Sequence, residues 1–188
     1  MEWPAKLIEI SFWALKNEDL RHRYIYSKSA EDLRKTPGIA FCLETSAVLS
    51  IFEAALGKGF TLDTTISREK NYPDSNGSDS KKRADLAIKD IGQGQNWAYV
   101  EVKKYVNRGG KNAIAKDLSK LKAITRKCQR WMLIYRIRTS KESNKIEALL
   151  KKNFSAYFDF RTLHVLEFDT LTKSGRNSKC EIALCRII

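Results

Sequence analysis

RADLAIKDIGQGQNWAYVEVKK, residues 83–104, is the stretch whose reading decides the fold. It reads as two short strands joined by a tight turn, with Gly92 to Asn96 supplying the turn. Side chains on a strand switch faces at every residue. On the second strand Ala98, Val100 and Val102 therefore share one face, and Tyr99, Glu101 and Lys103 the other. On the first, Ala84, Leu86 and Ile88 oppose Asp85, Ala87 and Lys89. Antiparallel pairing then sets Asp85 beside Glu101, with the Lys103 ammonium one pleat further along.

Two carboxylates that converge repel each other, and a cation is their natural companion. All-oxygen donors suit Mg²⁺ or Mn²⁺, which retain waters and accept phosphate oxygens. A lysine at the edge of such a site can orient or help deprotonate a water, or stabilise charge on a phosphorus-bound oxygen. The pattern is that of metal-assisted phosphodiester hydrolysis. A Glu-x-Lys on a strand is also a common solvated face with a weak cross-strand pair, so the surrounding chain carries the weight.

The 188 residues suffice for one domain with a sizeable core. Hydrophobic residues make up 43%, which excludes wholesale disorder. Thirty-five Lys and Arg against 22 Asp and Glu leave a formal charge of +13, which points to a polyanionic partner, nucleic acid first. An acidic membrane surface or a ribosome would account for the charge equally well. No stretch approaches the ~20 apolar residues of a membrane span, and Glu2 and Lys6 interrupt any leader pattern. Cys42, Cys128, Cys180 and Cys185 show no C-x-x-C spacing, and His22 and His164 stand far apart. That argues against a zinc site and against histidine catalysis, and for free thiols in a reducing, cytoplasmic setting.

Upstream, Pro4 opens a helix predicted to reach about Lys16, with Leu7, Ile8, Phe12 and Leu15 on one face. Ser29 to Asp32 reads as a helix start, and Thr36-Pro37 as the start of a longer helix to about Leu56, ended by Gly57 and Gly59. Within it Glu44 falls among Ala40, Ala47, Val48, Ile51 and Ala55 on the apolar face. A carboxylate there is costly unless paired or bound to a cation, which makes Glu44 a candidate third acid. Phe60 to Lys70 is predicted to be a strand, and the polar Asn71 to Lys82 a long exposed loop near the substrate.

Downstream, Tyr105 to Asn112 is a Gly-rich loop without P-loop spacing. Ala113 to Lys127 is predicted to be a helix, with Ile114, Leu118, Leu121 and Ile124 as its stripe. Between Glu101 and Arg130 ten basic residues face two acids. Of these Lys104, Arg108, Lys111, Lys116, Lys120, Arg126 and Lys127 are candidate phosphate contacts, with Lys122 on the same basic face. Trp131 to Ile137 suits a strand buried on both faces. Ser140 is predicted to cap a helix to about Asn153, and Leu163 to Phe168 and Glu181 to Ile187 alternate as strands around a turn at Lys173 to Lys179.

The order helix, three strands, helix, strand, with an acid on the second strand and Glu-x-Lys on the third, resembles the core of the PD-(D/E)xK nucleases, a superfamily that includes restriction endonucleases, Holliday junction resolvases and repair nucleases. The resemblance covers residues 37–137. It implies an α/β, restriction endonuclease-like αβββαβ core with a mixed sheet flanked by helices. Residues 1–36 would add N-terminal helices, and 138–188 a C-terminal helix and strands, within one domain. It matches Asp85 to the motif's first acid, Glu101 and Lys103 to its (D/E)xK, and Glu44 to the acid on the helix before the first strand. It implies a Mg²⁺-dependent nuclease acting on DNA, with Asp85, Glu101 and Glu44 at the metal and Lys103 assisting the water. Many such enzymes cut as dimers, so it leaves room for a homodimer. Ala84 stands where the motif has proline, and the literal Pro73-Asp74 lies in the polar loop, away from any alternation that could orient it.

Two other classes answer to the same charge. One is a non-catalytic nucleic-acid-binding protein of nuclease-like fold, with Trp3, Trp13, Tyr24, Tyr26 and Trp97 as stacking candidates. The other is an assembly protein whose basic surface meets an acidic partner.

Overall fold

The structure, a computed structural model, describes residues 2–27, 38–62, 65–73, 79–89, 97–106, 109–124 and 128–188. Its centre is a six-stranded mixed sheet in the order β1-β4-β5-β6-β8-β7. The strands are β1 (Ile66–Arg68), β4 (Leu86–Lys89), β5 (Trp97–Lys104), β6 (Gln129–Thr139), β7 (Phe158–Leu171) and β8 (Asn177–Ile187). Only β5 and β6 pair in parallel; every other neighbour is antiparallel. A parallel neighbour needs a crossover, and α3 (Gly110–Lys122) supplies it. A separate hairpin joins β2 (Asn71–Pro73) to β3 (Asp79–Arg83).

Alternation along the strands divides the core into two layers, one on each side of the sheet. Leu86, Ile88, Val100, Val102, Leu133, Tyr135, Ile182 and Leu184 pack with α1 (Trp3–Tyr26) and α2 (Glu44–Gly57). Ala87, Tyr99, Met132, Ile134, Ala183 and Cys185 pack with α3 and α4 (Ile146–Phe154). As the apolar run at 131–137 predicts, β6 lies at the middle with Trp131 to Arg136 all buried. Both layers exclude enough apolar surface to make the sheet the organising element.

Several boundaries differ from the sequence reading. α1 continues ten residues past Lys16 to Tyr26, because Glu18 and Asp19 find buried partners and extend the inward face. Asp19 accepts from the Ile39 amide at 2.7 Å and the Thr170 hydroxyl at 2.5 Å, and Arg23 pairs with it at 2.8 Å. The chain presses so close here that a Cβ on Gly38 would collide with the Asp19 carbonyl oxygen. The helix expected from Thr36-Pro37 is instead a 3₁₀ turn, Ile39–Phe41, followed by α2 from Glu44. Among the described residues of 60–70 the strand is β1, and the expected loop at 71–82 carries β2 and β3. α3 begins and ends earlier than 113–127, α4 begins at Ile146 rather than after Ser140, and β7 is far longer than 163–168. The start expected at Ser29 to Asp32 lies outside the described residues. Among the described residues no helix is long and apolar enough to cross a membrane.

Candidate active site

The register of β4 against β5 pairs Leu86 with Val100 and Ala87 with Tyr99, so one step back Asp85 stands across from Glu101. Tyr99 and Ala87 belong to the α3 layer, which puts Asp85, Glu101 and Lys103 on that same side. β4 has ended at Asp85, and its carboxylate replaces the missing ladder partner by accepting the Val102 amide at 2.7 Å. Glu101 is buried at 3% exposure. The Tyr72 hydroxyl of β2 donates to Glu101 Oε1.

The two carboxyls interact directly, and their titration shows the strain. Burial first, then the Asp85 charge, pushes the Glu101 carboxyl up to about 8, although the Tyr72 bond and Lys120 work the other way. Burial also raises Asp85, with Glu44 adding to it, while the Val102 amide, Glu101 and Lys103 oppose the rise. At neutral pH the pair holds a proton where a cation could stand.

Lys103 extends past the pair between two further acids. Its ammonium donates to Glu44 Oε1 at 2.7 Å and lies 2.8 Å from Asp117 Oδ2. Burial disfavours its charge, but the bonds to Asp117 and Glu44 outweigh that and hold it above the ordinary lysine range. Glu44 is the first residue of α2, not a mid-helix residue, and its other oxygen accepts the Lys104 amide at 3.1 Å. Glu44 thus joins the cluster through Lys103. Asp117, buried at 3%, is a site residue that the sequence reading missed; Lys120 pairs with its other oxygen at 2.6 Å. The signal was present, since Asp117 lies three residues after Ile114 and four before Leu121 on the stripe of α3.

Four carboxyl groups (Glu44, Asp85, Glu101, Asp117) therefore surround two ammonium groups, Lys103 and Lys120. All-oxygen donors suit Mg²⁺ or Mn²⁺ rather than a softer ion, but among the described residues no three of these acids bring an oxygen each within 4.8 Å of one another. Asp85 and Glu101 would hold the ion. Glu44, with both oxygens engaged, would reach it after leaving Lys103 or through water.

The basic residues divide. Lys111 and Lys116 are exposed on α3, and Lys120 is half-buried at Asp117. Lys122 lies over the Tyr157 ring, 4.4 Å from its centroid. Lys104, expected to face phosphate, turns inward: its ammonium donates to the carbonyls of Ala40 and Cys42 at 3.0 and 2.9 Å and reaches that of Ile39 at 3.4 Å. Arg108, Arg126 and Lys127 lie outside the described residues. Of the stacking candidates, Trp3 packs edge-on to Trp131 and Trp97 lies under Lys70, whereas Trp13, Tyr24 and Tyr26 are exposed on α1.

The fold and the acidic cluster define an α/β protein with a carboxylate-lysine site on one side of a mixed sheet. Comparison with known proteins takes the matter no further: no family model, no curated protein and no solved structure matches the chain.

Proposed function

We propose that the chain is a metal-dependent nuclease that hydrolyses DNA phosphodiester bonds, an endonuclease in preference to an exonuclease. The observation that carries this reading is the pairing of Asp85 with Glu101 on one side of the sheet, with Lys103 two residues on. The order α2, β1, β4, β5, α3, β6, with β5 and β6 parallel, supports the resemblance to PD-(D/E)xK nucleases. In that comparison the β2–β3 hairpin is an insertion after the first strand, and its Tyr72 reaches Glu101.

Mg²⁺, when bound, supplies Lewis-acid charge to the scissile phosphate. Asp85 and Glu101 would hold it as carboxylates, their proton released to solvent. Lys103, pinned between Glu44 and Asp117 and held charged, places a positive donor beside the reacting phosphate. A permanently charged ammonium cannot take a proton, so it orients the water and stabilises developing negative charge. Lys111 and Lys116 offer exposed cations for the backbone.

Asp85→Ala and Lys103→Ala are expected to abolish Mg²⁺-dependent cleavage of supercoiled, linear and branched DNA while leaving the circular dichroism spectrum and most DNA affinity intact. Cleavage equal to wild type in both variants overturns the assignment. A second reading, a nucleic-acid-binding protein that does not cut, is favoured by the engagement of Glu101 by Tyr72 and of Lys103 by two acids within the protein. Salt-dependent binding with no cleavage in Mg²⁺ or Mn²⁺ identifies it.

A further inference from the structure

α1 and the turn before α2 meet at a second cluster, remote in sequence from Asp85 and Glu101. Glu18 and His22 stand one helical turn apart on α1, and Cys42 follows the Ile39–Phe41 turn. One donor atom from each lies within 4.8 Å of the others, and among the described residues no other three such side chains converge so closely. His22 Nε2 is 3.5 Å from Glu18 Oε2, and the Cys42 thiol has a weak contact of 3.4 Å to the Leu43 carbonyl.

Glu18 Oε2 and both ring nitrogens of His22 are shielded from solvent and have no hydrogen-bond partner among the described residues. Glu18 as a whole is 6% exposed, and Ser50 fastens its other oxygen at 2.8 Å, which leaves Oε2 turned to His22. The Arg21 guanidinium lies 3.7 Å from Oε2, but its side chain is 63% exposed. Burying polar atoms without hydrogen bonds is unfavourable, and one cation among these donors would engage Glu18 Oε2, a ring nitrogen of His22 and the thiol together.

We propose that Glu18, His22 and Cys42 bind Zn²⁺. Donors around a tetrahedral zinc at 2.0–2.3 Å stand about 3.5 Å apart, close to the Glu18–His22 separation. A mixed oxygen, nitrogen and sulfur set suits zinc and disfavours Mg²⁺, which wants oxygen alone. On binding, Cys42 gives its proton to solvent; thiolate, carboxylate and neutral imidazole then balance the dication, and water takes the fourth position. The ion ties α1 to a point two residues before Glu44. C-x-x-C spacing gives no sign of such a site, because its third ligand comes from a separate turn twenty residues after His22. The proposal does not depend on nuclease activity.

The test uses the full chain, kept reduced, stripped with chelator and titrated with Co²⁺ and then Zn²⁺. One equivalent of Co²⁺ is expected to give a thiolate-to-cobalt charge-transfer band with tetrahedral d–d bands, displaced by Zn²⁺ and lost in Cys42→Ser and in His22→Gln. Absence of the band in the wild type, or its persistence unchanged in either variant, overturns the site. Should Cys42→Ser not fold, His22→Gln, at the least buried of the three ligands, decides alone. Asp85→Asn must leave the band unchanged; its loss there would also overturn the assignment.

Discussion

A single proton at the Asp85–Glu101 pair has consequences for stability that can be measured without any substrate. A carboxyl whose titration is raised in the folded chain binds a proton that the unfolded chain has released. For Glu101 that window runs from the ordinary glutamate range to about 8. The metal-free protein is therefore expected to lose stability as pH rises through this window, by an amount on the order of a few kcal/mol. The direction is opposite to that of a salt-bridged carboxylate. Glu101→Gln, which mimics the protonated form, should flatten the profile and melt above wild type at pH 8 in chelator. Mg²⁺ should restore the wild type at pH 8 and do little for the variant. Thermal melts across pH, with and without Mg²⁺, check this; a wild type that gains stability steadily from pH 5 to 8 in chelator refutes it. That Asp85 lies beside Glu101 was legible from residues 83–104, but strict alternation was not: β4 begins only at Leu86, and Ala84, expected on the face of Leu86 and Ile88, packs in the layer of Ala87 instead. That Glu44 would reach Lys103 through its ammonium was not legible, since it depends on where α2 begins.

At the scale of elements, what the sequence disclosed follows the strength of local periodicity. The apolar run of β6 and the stripe Ile114, Leu118, Leu121 of α3 announce themselves. The start of α2 does not, because Ala40 continues the helical spacing while the chain in fact turns at 39–41. What halts it is a residue more than sixty positions away: the Lys104 ammonium takes the carbonyls of Ala40 and Cys42 that a helix would have used itself. The β2–β3 hairpin is polar and short, and only its pairing and the seat of Tyr72 against Tyr99 reveal it. These two uses of lysine can be separated. Lys111→Ala and Lys116→Ala, on the exposed side of α3, should each weaken duplex binding and lower the slope of log affinity against log salt by about 1. Lys104→Ala should lower the melting temperature instead and leave that slope unchanged. Fluorescence anisotropy across salt concentrations, read beside thermal melts, checks both. A drop in slope for Lys104→Ala equal to that of Lys116→Ala would mean that its ammonium leaves the carbonyls for phosphate.

Over the whole molecule, a chain of net charge +13 keeps an island of four carboxyl groups at the end of β5, beside its basic helix. The opposition is functional if phosphate must approach that island: the basic surface draws the backbone in, and the acids repel it until a cation stands between them. Each carboxylate about 4 Å from a phosphate opposes binding by ~1 kcal/mol at the dielectric of water, or about fivefold in affinity. Neutralising the pair with Asp85→Asn and Glu101→Gln together should therefore tighten binding of a duplex in chelator by about fivefold or more. In the presence of Ca²⁺, chosen to bind without promoting cleavage, wild type should rise to meet the variant, and the difference should shrink toward zero. Anisotropy titrations at constant ionic strength make the comparison. A protein whose acids serve only to hold Lys103 and close the sheet would bind DNA equally with or without them, and Ca²⁺ would change neither curve. That result would detach the acidic cluster from nucleic acid altogether and leave the positive charge of the chain as its one link to DNA.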